Sequence, residues 1–363
     1  MINYKYKREI AIKKEGLDMS SSIRANWAKS LAGQAPLGQV LADAAQAKAA
    51  NTQTAKATSK SAGSSSHKQL GMHVGRGFRF GNLDWFPVWT DEALKPRGYT
   101  TSFSAGTVKV SELPVARVSG IQIENVSSTG VLLLEGTLLE GGLQHRALTR
   151  SVFLGANQAL ELPVVCIEQG RWAGTSRQEI GAKLAPARVR AAMRGMHRGS
   201  KNVVQADADQ TKVWDEIQNY QQNLAAANLT GSYALMRDQI DQNQPVLRSP
   251  EALAGQRGVI VAINGQPVAL ELFDHPDTLS ERLDAIVRGY LPDSMQGGYV
   301  QTPSRRARRF ADRITRVGVT EPEGPNHRRN VPDEVVAAEA LYSEDRLLHL
   351  AALNARHDLV LAA

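Results

Sequence analysis

The sequence of 363 residues contains one cysteine, Cys166. A single thiol excludes an internal disulfide framework and a zinc site built from cysteines, and it makes a reducing, cytoplasmic setting the expected one. No run of about 18 apolar residues is present, so we predict that no helix crosses a membrane. The first residues carry lysines without an apolar core, and we therefore expect no secretory signal peptide.

The common motifs of catalysis and cofactor binding are also missing. The chain has no glycine-rich dinucleotide or phosphate loop, no Gly-x-Ser-x-Gly nucleophile elbow and no His-Glu-x-x-His zinc motif. Its eight histidines show no spacing typical of metal ligands. We therefore predict no metal site, and the sequence identifies no cofactor.

Positive charge exceeds negative charge only mildly, with 43 Lys and Arg against 36 Asp and Glu and a net charge of +7. This excess permits an anionic partner without requiring one. Apolar residues make up 42 % of the chain, which is enough for a packed core. The length suits one large domain or two modest ones.

Composition divides the chain into three regions. Residues 1–69 end in a stretch rich in Ala, Ser and Lys that lacks aromatic and β-branched apolar residues. Such a stretch buries too little surface to offset its ordering entropy, so we predict a disordered or partly helical extension and linker. Residues 70–295 are predicted to form an α+β domain, and residues 296–363 a basic helical segment, a loop and C-terminal helices.

Residues 70–170 consist of short runs typical of strands, separated by Gly, Pro, Asn or Ser. Two of these runs, VLLLEG and LPVVCIE, are almost continuously apolar. Continuous apolar character indicates strands that are buried on both faces. We therefore predict that this region is an all-β unit.

Helical patterns and a hairpin follow the β unit. The amphipathic pattern that follows Asp207 and Asp209 in the sequence predicts a helix, and either aspartate can cap its N-terminus. Residues 257–272 form two β-rich runs around Asn264-Gly265, the preferred pair for a two-residue hairpin turn. We predict an α+β fold, with a mainly antiparallel β unit followed by helices and a β-hairpin.

A glycine pair interrupts the polar end of one predicted strand. Gly141 and Gly142 permit a tight turn and a close backbone approach to a ligand. These residues could bring an acid, an imidazole and a guanidinium to a pocket, or they could be solvated residues of an ordinary strand connection. The polar residues around the turn are Glu140, Gln144, His145 and Arg146.

A second polar group follows the run LPVVCIE. A buried Glu168 would need a cationic partner, which Arg171 or Arg146 can supply. In a functional interpretation Glu168 is a base or binds a ribose hydroxyl, Arg171 binds a phosphate and Trp172 stacks on a ring. In a structural interpretation Glu168 and Arg171 are an ion pair and Trp172 fills the core. We interpret Cys166 as a small buried hydrophobe rather than a nucleophile.

Trp214 lies away from the apolar face of the predicted helix, and Glu216 follows it by two residues and precedes Tyr220 by four. An acid and an aromatic ring at this place could close a pocket. They could equally form a packing contact between domains, and the sequence favours this contact.

A basic segment, RRARRFADRITR, comes late in the chain. On a helix, Arg305, Arg309, Arg313 and Arg316 fall on one side. A basic helical face suits nucleic acid or an acidic protein. Only Phe310 is available for stacking on bases, and a solvated charged face is the alternative.

Several strings occur together in an order that resembles a known family. They are GNLDWFPVW, VLLLEGTLLEGGLQHRALTRSVFL, LELPVVCIEQGRWAG, KVWDEI and GVIVAINGQPVALELFDHPDTL. Over residues 70–295 the chain resembles the ARG and rhodanese-phosphatase-superfamily-associated protein (ARPP) domain family. Relatives read approximately Gly-Ala-Lys-Gln-Asn-Arg after the LEG strand, where this chain has Gly-Gly-Leu-Gln-His-Arg from residue 141 to residue 146.

The resemblance implies a setting for the function. The family name reflects genomic association with ADP-ribosylglycohydrolases and phosphatase-like domains. This implies a role near ADP-ribose, NAD-derived or other nucleotide metabolites, in prokaryotic defence or RNA repair.

These observations together predict a cleft for a nucleotide-derived anion. Glu168 and His145 are the predicted catalytic residues, with His145 as a general acid because its ordinary pKa lies near neutrality. One alternative is a non-catalytic protein- or RNA-interaction module that uses the basic helix, and another is a hydrolase of a nucleotide-linked substrate. The predicted ligand-binding residues are Glu140, Gln144, Arg146, Arg171, Trp172, Trp214 and Glu216.

Overall fold

The computed structural model describes residues 70–102, 106–196, 209–243, 247–322, 324, 326–331 and 333–361. These residues belong to one unit of the chain, Gln69–Ala363. The extension predicted for residues 1–69 lies outside the described residues. None of the helices in the described ranges is long and apolar enough to span a bilayer.

Strands dominate the described residues, and the predicted α+β class is confirmed. The strands are β1 Met72–Val74, β2 Phe78–Phe80, β3 Leu83–Thr90, β4 Tyr99–Thr100, β5 Val108–Ser111, β6 Gly120–Asn125, β7 Gly130–Leu133, β8 Thr137–Gly141, β9 Arg146–Leu148, β10 Val152–Leu154, β11 Ala159–Cys166, β12 Arg177–Leu184, β13 Gly258–Ile263, β14 Gln266–Phe273, β15 Glu321–Pro322, β16 His327–Arg329, β17 Val336–Ser343 and β18 Arg346–Asn354. The helices are α1 Ala187–Met193, α2 Gln210–Asn223, α3 Tyr233–Asn243, α4 Pro276–Gly289, α5 Leu291–Ser294, α6 Ser304–Val317 and α7 Asp358–Leu361.

Six strands close into a barrel in the order β11-β6-β5-β12-β8-β9. Closure pairs every strand on both sides and leaves no open edge. Inward-facing apolar side chains such as Ile121, Ile123 and Leu139 fill the barrel and are fully buried. The ends of β8 and β11 and the starts of β9 and β12 lie at the same end of the barrel.

A second, nine-stranded sheet has the order β1-β3-β13-β14-β18-β17-β16-β15, with β2 paired to β3. Alternate side chains of its central strand β13 face opposite helices. Val259 and Val261 share a core cluster with Leu283 of α4, whereas Ile260 shares one with Phe310 of α6. Because helices cover both faces, the central strands are apolar throughout.

The predicted hairpin and helix starts are confirmed. β13 and β14 pair around Asn264 and Gly265, which have positive φ values of 52° and 77° as a type I′ turn requires. Asp209 caps α2 by accepting hydrogen bonds from the backbone N–H groups of Thr211 and Lys212.

The prediction of C-terminal helices was wrong. Residues 336–343 and 346–354 form the strands β17 and β18, and of the tail only α7 is helical. The alanine-rich composition favours a helix locally, but helix propensity is a weak preference that tertiary context overrides. Here β14 offers an edge for β18, and the small alanine side chains allow α6 to pack closely on the sheet.

Candidate functional site

Two stretches that are distant in the sequence meet at one end of the barrel. The backbone N–H of His145 donates to Glu168 Oε2 at 3.0 Å, and Gln144 Nε2 donates to the Glu168 carbonyl at 2.9 Å. The backbone N–H of Ala173 also donates to the Leu143 carbonyl. We call Gln144, His145, Arg146, Glu168, Arg171 and Trp172 the barrel-end cluster.

The glycine pair allows this approach. Gly141 and Gly142 have φ values of 96° and 62°, in the left-handed region that glycine adopts without strain. Gln178 of β12 packs directly against the Gly142 Cα, where a Cβ would collide with its side-chain amide. The predicted tight turn is confirmed, and the group that approaches its backbone is a protein side chain.

Arg171 holds the two stretches together with all of its guanidinium donors. Its Nε and Nη2 donate to Glu168 Oε2 at 3.0 and 2.7 Å. Its Nη1 donates to the carbonyls of Gly142 and Ala173, each at 2.7 Å, and Nη2 also reaches the Gly141 carbonyl at 3.2 Å. A guanidinium has five N–H donors, so Arg171 has none left for a phosphate in this arrangement.

Glu168 is the buried partner of Arg171, and its side chain is 2 % exposed. Burial acts to raise its pKa, but hydrogen bonds from Arg171, Thr230 and the His145 backbone outweigh burial and hold the pKa below its usual range. Glu168 is therefore a carboxylate at neutral pH, and its Oε2 already accepts three hydrogen bonds. This arrangement suits a positioning residue better than a general base.

Arg146 is fully buried and pairs with a residue that the sequence did not single out. Its Nη2 donates to Glu112 Oε2 at 2.7 Å, and its Nη1 donates to the carbonyls of Arg117 and Gly120. Above its guanidinium, at 5.8 Å, lies the ring of Trp172, which is 49 % exposed. Trp172 thus presents an indole to solvent at the barrel end and does not fill the core.

His145 is the residue of the cluster best placed to exchange protons. Its Nδ1 is 2.9 Å from Ser232 Oγ and 3.8 Å from Glu168 Oε2, and its side chain is 14 % exposed. Burial lowers its pKa, although the charge of Glu168 acts to raise it. The ring is therefore neutral at pH 7 and suited to accept a proton, whereas the general-acid role stays a prediction.

The other predicted residues lie beside the cluster or away from it. Glu140 of β8 faces Lys183 at 4.0 Å. Glu216 of α2 is buried and forms an ion pair with Arg188 of α1 at 2.5 Å, which joins the two helices. Trp214 lies near Cys166, whose pKa burial raises to about 11, so Cys166 is an uncharged thiol at neutral pH.

Comparison with known proteins adds one finding. The family described as the ARG and Rhodanese-Phosphatase-superfamily-associated Protein domain matches residues 71–353. The chain belongs to this family. The match confirms the resemblance and extends it past residue 295, so that the ARPP domain includes α6, β17 and β18. No curated protein and no solved structure matches the chain.

Sequence reasoning missed several residues at the barrel end of this ARPP domain. Glu112, in the segment after β5, accepts a hydrogen bond from Arg146. Gln178, in β12, donates hydrogen bonds to Glu112 and to the Gln144 carbonyl. In these four residues, three buried atoms have no hydrogen-bond partner, namely Gln144 Oε1, Gln178 Oε1 and Arg146 Nε. Only barrel closure brings these residues together, and no local spacing signals it.

The described residues of the ARPP domain contain no group of three or more His, Cys, Asp or Glu that could hold a metal ion. The predicted basic helix is present as α6, whose buried residues include Phe310. Arg305, Arg309 and Arg316 are exposed. Arg313 forms an ion pair with Asp333, which neutralises part of this face.

Proposed function

We propose that the ARPP domain binds a nucleotide-derived anion, of the ADP-ribose or NAD-derived type, at the barrel-end cluster. The observation that supports this is the convergence of an exposed indole, Trp172, with the guanidinium of Arg146 and the imidazole of His145. Mouths of barrels are common ligand sites, and such sites combine an aromatic surface with a few convergent polar groups. The unpartnered buried amide oxygens of Gln144 and Gln178 add acceptors for a ribose hydroxyl.

The contacts of Arg171 refine the roles within this proposal. Arg171 fixes the turn at Gly142 against the segment that carries Trp172, so it acts as a positioning residue. Trp172 stacks on the base, because an exposed aromatic ring offers a face to any nucleobase. Arg177 becomes the candidate for the phosphate. It is exposed, it lies beside Gly142 through a backbone hydrogen bond, and it has no ion pair in the ranges that the structure describes.

Calorimetric titration with ADP-ribose, NAD and AMP tests the proposal. We expect Trp172→Ala to weaken binding by about 5- to 150-fold, since stacking on a base contributes about 1–3 kcal/mol. Arg177→Ala should weaken binding of phosphorylated ligands at an unchanged melting temperature, whereas Arg171→Ala should also lower the melting temperature. Phe78→Ala, at an exposed aromatic residue stacked on Trp85, is the control and should bind like the parent.

Two results would reject the binding site. In one, the parent protein binds none of the three ligands. In the other, the Trp172→Ala and Arg177→Ala variants bind as tightly as the parent.

The exposed arginines of α6 favour a second candidate function, binding of single-stranded RNA. Arg305, Arg309 and Arg316 have no ion pair in the described part of the chain. Asp312 is the one acidic residue of this helix. A helix with several unpaired arginines on its outer face attracts the phosphate backbone.

Fluorescence anisotropy with a labelled RNA oligonucleotide separates this candidate from the first. Binding through α6 should fall steeply between about 50 and 200 mM salt and should be lost when Arg305, Arg309 and Arg316 are replaced by Glu. The Arg248→Glu variant, at an exposed arginine outside α6, should retain binding. Equal RNA affinity in the parent and the triple variant would exclude α6 as the binding face.

A further inference from the structure

A serine, a histidine and a glutamate form a hydrogen-bonded chain outside the barrel-end cluster. Ser151 Oγ is 2.8 Å from Nδ1 of His349, and His349 Nε2 is 2.8 Å from Glu271 Oε2. We propose that Ser151 is an activated nucleophile that takes an acyl group from a small ester, with His349 as its base and Glu271 as the residue that orients the base. Ser151 directly precedes β10, His349 lies in β18 and Glu271 lies in β14.

When the imidazole of His349 is neutral, the hydrogen atoms in the Ser151–His349–Glu271 hydrogen bonds have one consistent assignment. Glu271 is a carboxylate, whose pKa is lowered to about 2 because Arg190 and His349 outweigh its burial, and a carboxylate only accepts. His349 Nε2 must therefore carry the hydrogen, and Nδ1 presents its lone pair to Ser151. The backbone N–H of Glu135 donates to Ser151 Oγ at 2.9 Å, so the serine hydroxyl hydrogen is free to point at Nδ1.

The surroundings hold this chain in place before any ligand arrives. Arg190 Nη1 donates to the other oxygen of Glu271 at 2.5 Å. The ring of Phe273 stacks on the imidazole of His349 with centroids 4.6 Å apart. All of these side chains are buried. A base that is oriented by a carboxylate and fixed by its neighbours is the arrangement that activates a serine in acyl transfer.

Ser151 and His349 line a small cavity that is partly open to solvent. The cavity also touches Glu135, His327 and Leu341 and has about 180 Å³ of atom-free space, part of it open to solvent. The enclosed part has room for about one water molecule. Only the reacting carbonyl of a small acyl group can enter the enclosed part, and the rest of the ester must lie in the open part of the cavity.

Positive charge beside the cavity indicates the chemistry of the rest of the substrate. Arg150 precedes Ser151 in the chain, and its Nε is buried without a hydrogen-bond partner. Burial and the charge of Arg150 lower the pKa of His327 to about 4, which places Arg150 close to the outer wall. A guanidinium without an ion pair in the described residues suits an ester that carries a negative group.

The acyl transfer takes place in two steps. Ser151 Oγ forms a bond to the carbonyl carbon, the ester C–O bond breaks, and the hydroxyl proton passes through His349 Nδ1 to the leaving alcohol. Water then attacks the acyl-serine with His349 again as base, which releases the carboxylic acid and restores Ser151.

Methanesulfonyl fluoride, a small serine reagent, tests the nucleophile on the full chain. Its reaction forms a bond between Ser151 Oγ and sulfur, breaks the S–F bond and releases fluoride and the proton. Peptide mass spectrometry of the parent should find Ser151 modified at least about 100-fold faster than Ser294, a buried serine bonded only to the Leu291 carbonyl, since a general base contributes about 10²–10⁴-fold. The labelling should disappear in urea.

Variants decide whether His349 and Glu271 supply the activation. His349→Gln and Glu271→Gln should each slow labelling of Ser151 by at least about 10-fold, and circular dichroism checks that they fold. Phe78→Ala, at an exposed aromatic residue that belongs to neither proposed site, should label like the parent. Absence of labelling at Ser151 in the parent, or an unchanged rate in a folded His349→Gln variant, would overturn the proposal.

Discussion

Buried charge is the main feature of this protein at the scale of single residues. Glu135 is 2 % exposed and receives hydrogen bonds from Arg190 and from two nitrogens of Arg194. Arg190 also binds Glu271, so two carboxylates and two guanidiniums neutralise each other within the fold. Each charge depends on the others, because an unpaired ion is very costly to bury.

Removing one of these partners should therefore destabilise the protein strongly. We expect Arg194→Ala to lower the free energy of unfolding by about 3–5 kcal/mol, since it leaves a buried carboxylate short of donors. Arg248→Ala breaks an exposed ion pair with Glu251 and should cost at most about 1 kcal/mol. Urea unfolding of both variants at pH 7 provides the comparison. Similar losses in the two variants would contradict a special role for burial.

Asp293 gives the protein a distinct dependence on pH. Burial raises the pKa of Asp293 to about 6 in the folded protein, although the Tyr220 hydroxyl and the Ala187 N–H act to lower it. An Asp side chain in an unfolded chain titrates at about pH 3.9, so the folded state binds this proton more tightly. Stability contributed by the protonated form is present below about pH 4 and is lost as pH rises to about 6.

Relative to Asp293→Asn, the parent should thus lose roughly 3 kcal/mol of unfolding free energy between about pH 4 and pH 6. Chemical denaturation at a series of pH values measures the difference. Tyr220→Phe removes a hydrogen bond that lowers the pKa of Asp293. The unfolding free energy of this variant should therefore continue to fall above pH 6. Parallel stability curves for parent and Asp293→Asn would show that Asp293 does not titrate in this range.

At the scale of elements, the β13–β14 hairpin shows how local sequence determines structure. Asn264 and Gly265 tolerate the positive φ values of the turn, and the flanking residues favour strands. Two neighbouring strands determine the position of the hairpin in the sheet, because β3 pairs with β13 and β18 pairs with β14. The turn is predictable from two residues, whereas the place of the hairpin in the sheet is not.

Gly265→Ala should cost about 1–2 kcal/mol, since an alanine at positive φ is strained. The added Cβ would also lie 3.1 Å from Val300. Gly298→Ala, at a nearby glycine with nothing within 4 Å of the new Cβ, should change stability by less than about 1 kcal/mol. Thermal unfolding compares the two variants. If both are equally stable, the backbone of the turn is not under this constraint.

At the scale of the whole molecule, the C-terminal strands complete the nine-stranded sheet. β18 pairs with β14 over five residues and with β17 along its length. Leu353 contributes to the core on the α4 side, and Leu350 contributes on the α6 side. The segment that composition assigned to helices is thus central to the sheet.

A chain that ends at Asp333 should therefore not fold. It loses β17 and β18, exposes the edge of β14 and opens both faces of the core, which favours aggregation. A chain that ends at Leu361 keeps all described elements and should behave like the parent. Circular dichroism and size-exclusion chromatography distinguish these outcomes. Cooperative unfolding of the shorter chain would show that β1–β16 and α1–α6 suffice.

The sequence by itself determined the features that depend on neighbouring residues. These are the apolar strands, the cap at Asp209, the hairpin turn, the basic helix and the family resemblance. Alternation and capping act over a few residues, so they can be identified without knowledge of the fold.

Only the tertiary structure decided which side chains meet and which donors remain available. Barrel closure brought Arg146 to Glu112 and Arg171 to the Gly142 carbonyl, and sheet pairing placed His349 between Ser151 and Glu271. Sheet pairing also made the alanine-rich residues 336–343 and 346–354 form strands. Such outcomes depend on contacts between residues far apart in the chain, where packing and hydrogen bonding outweigh local preference.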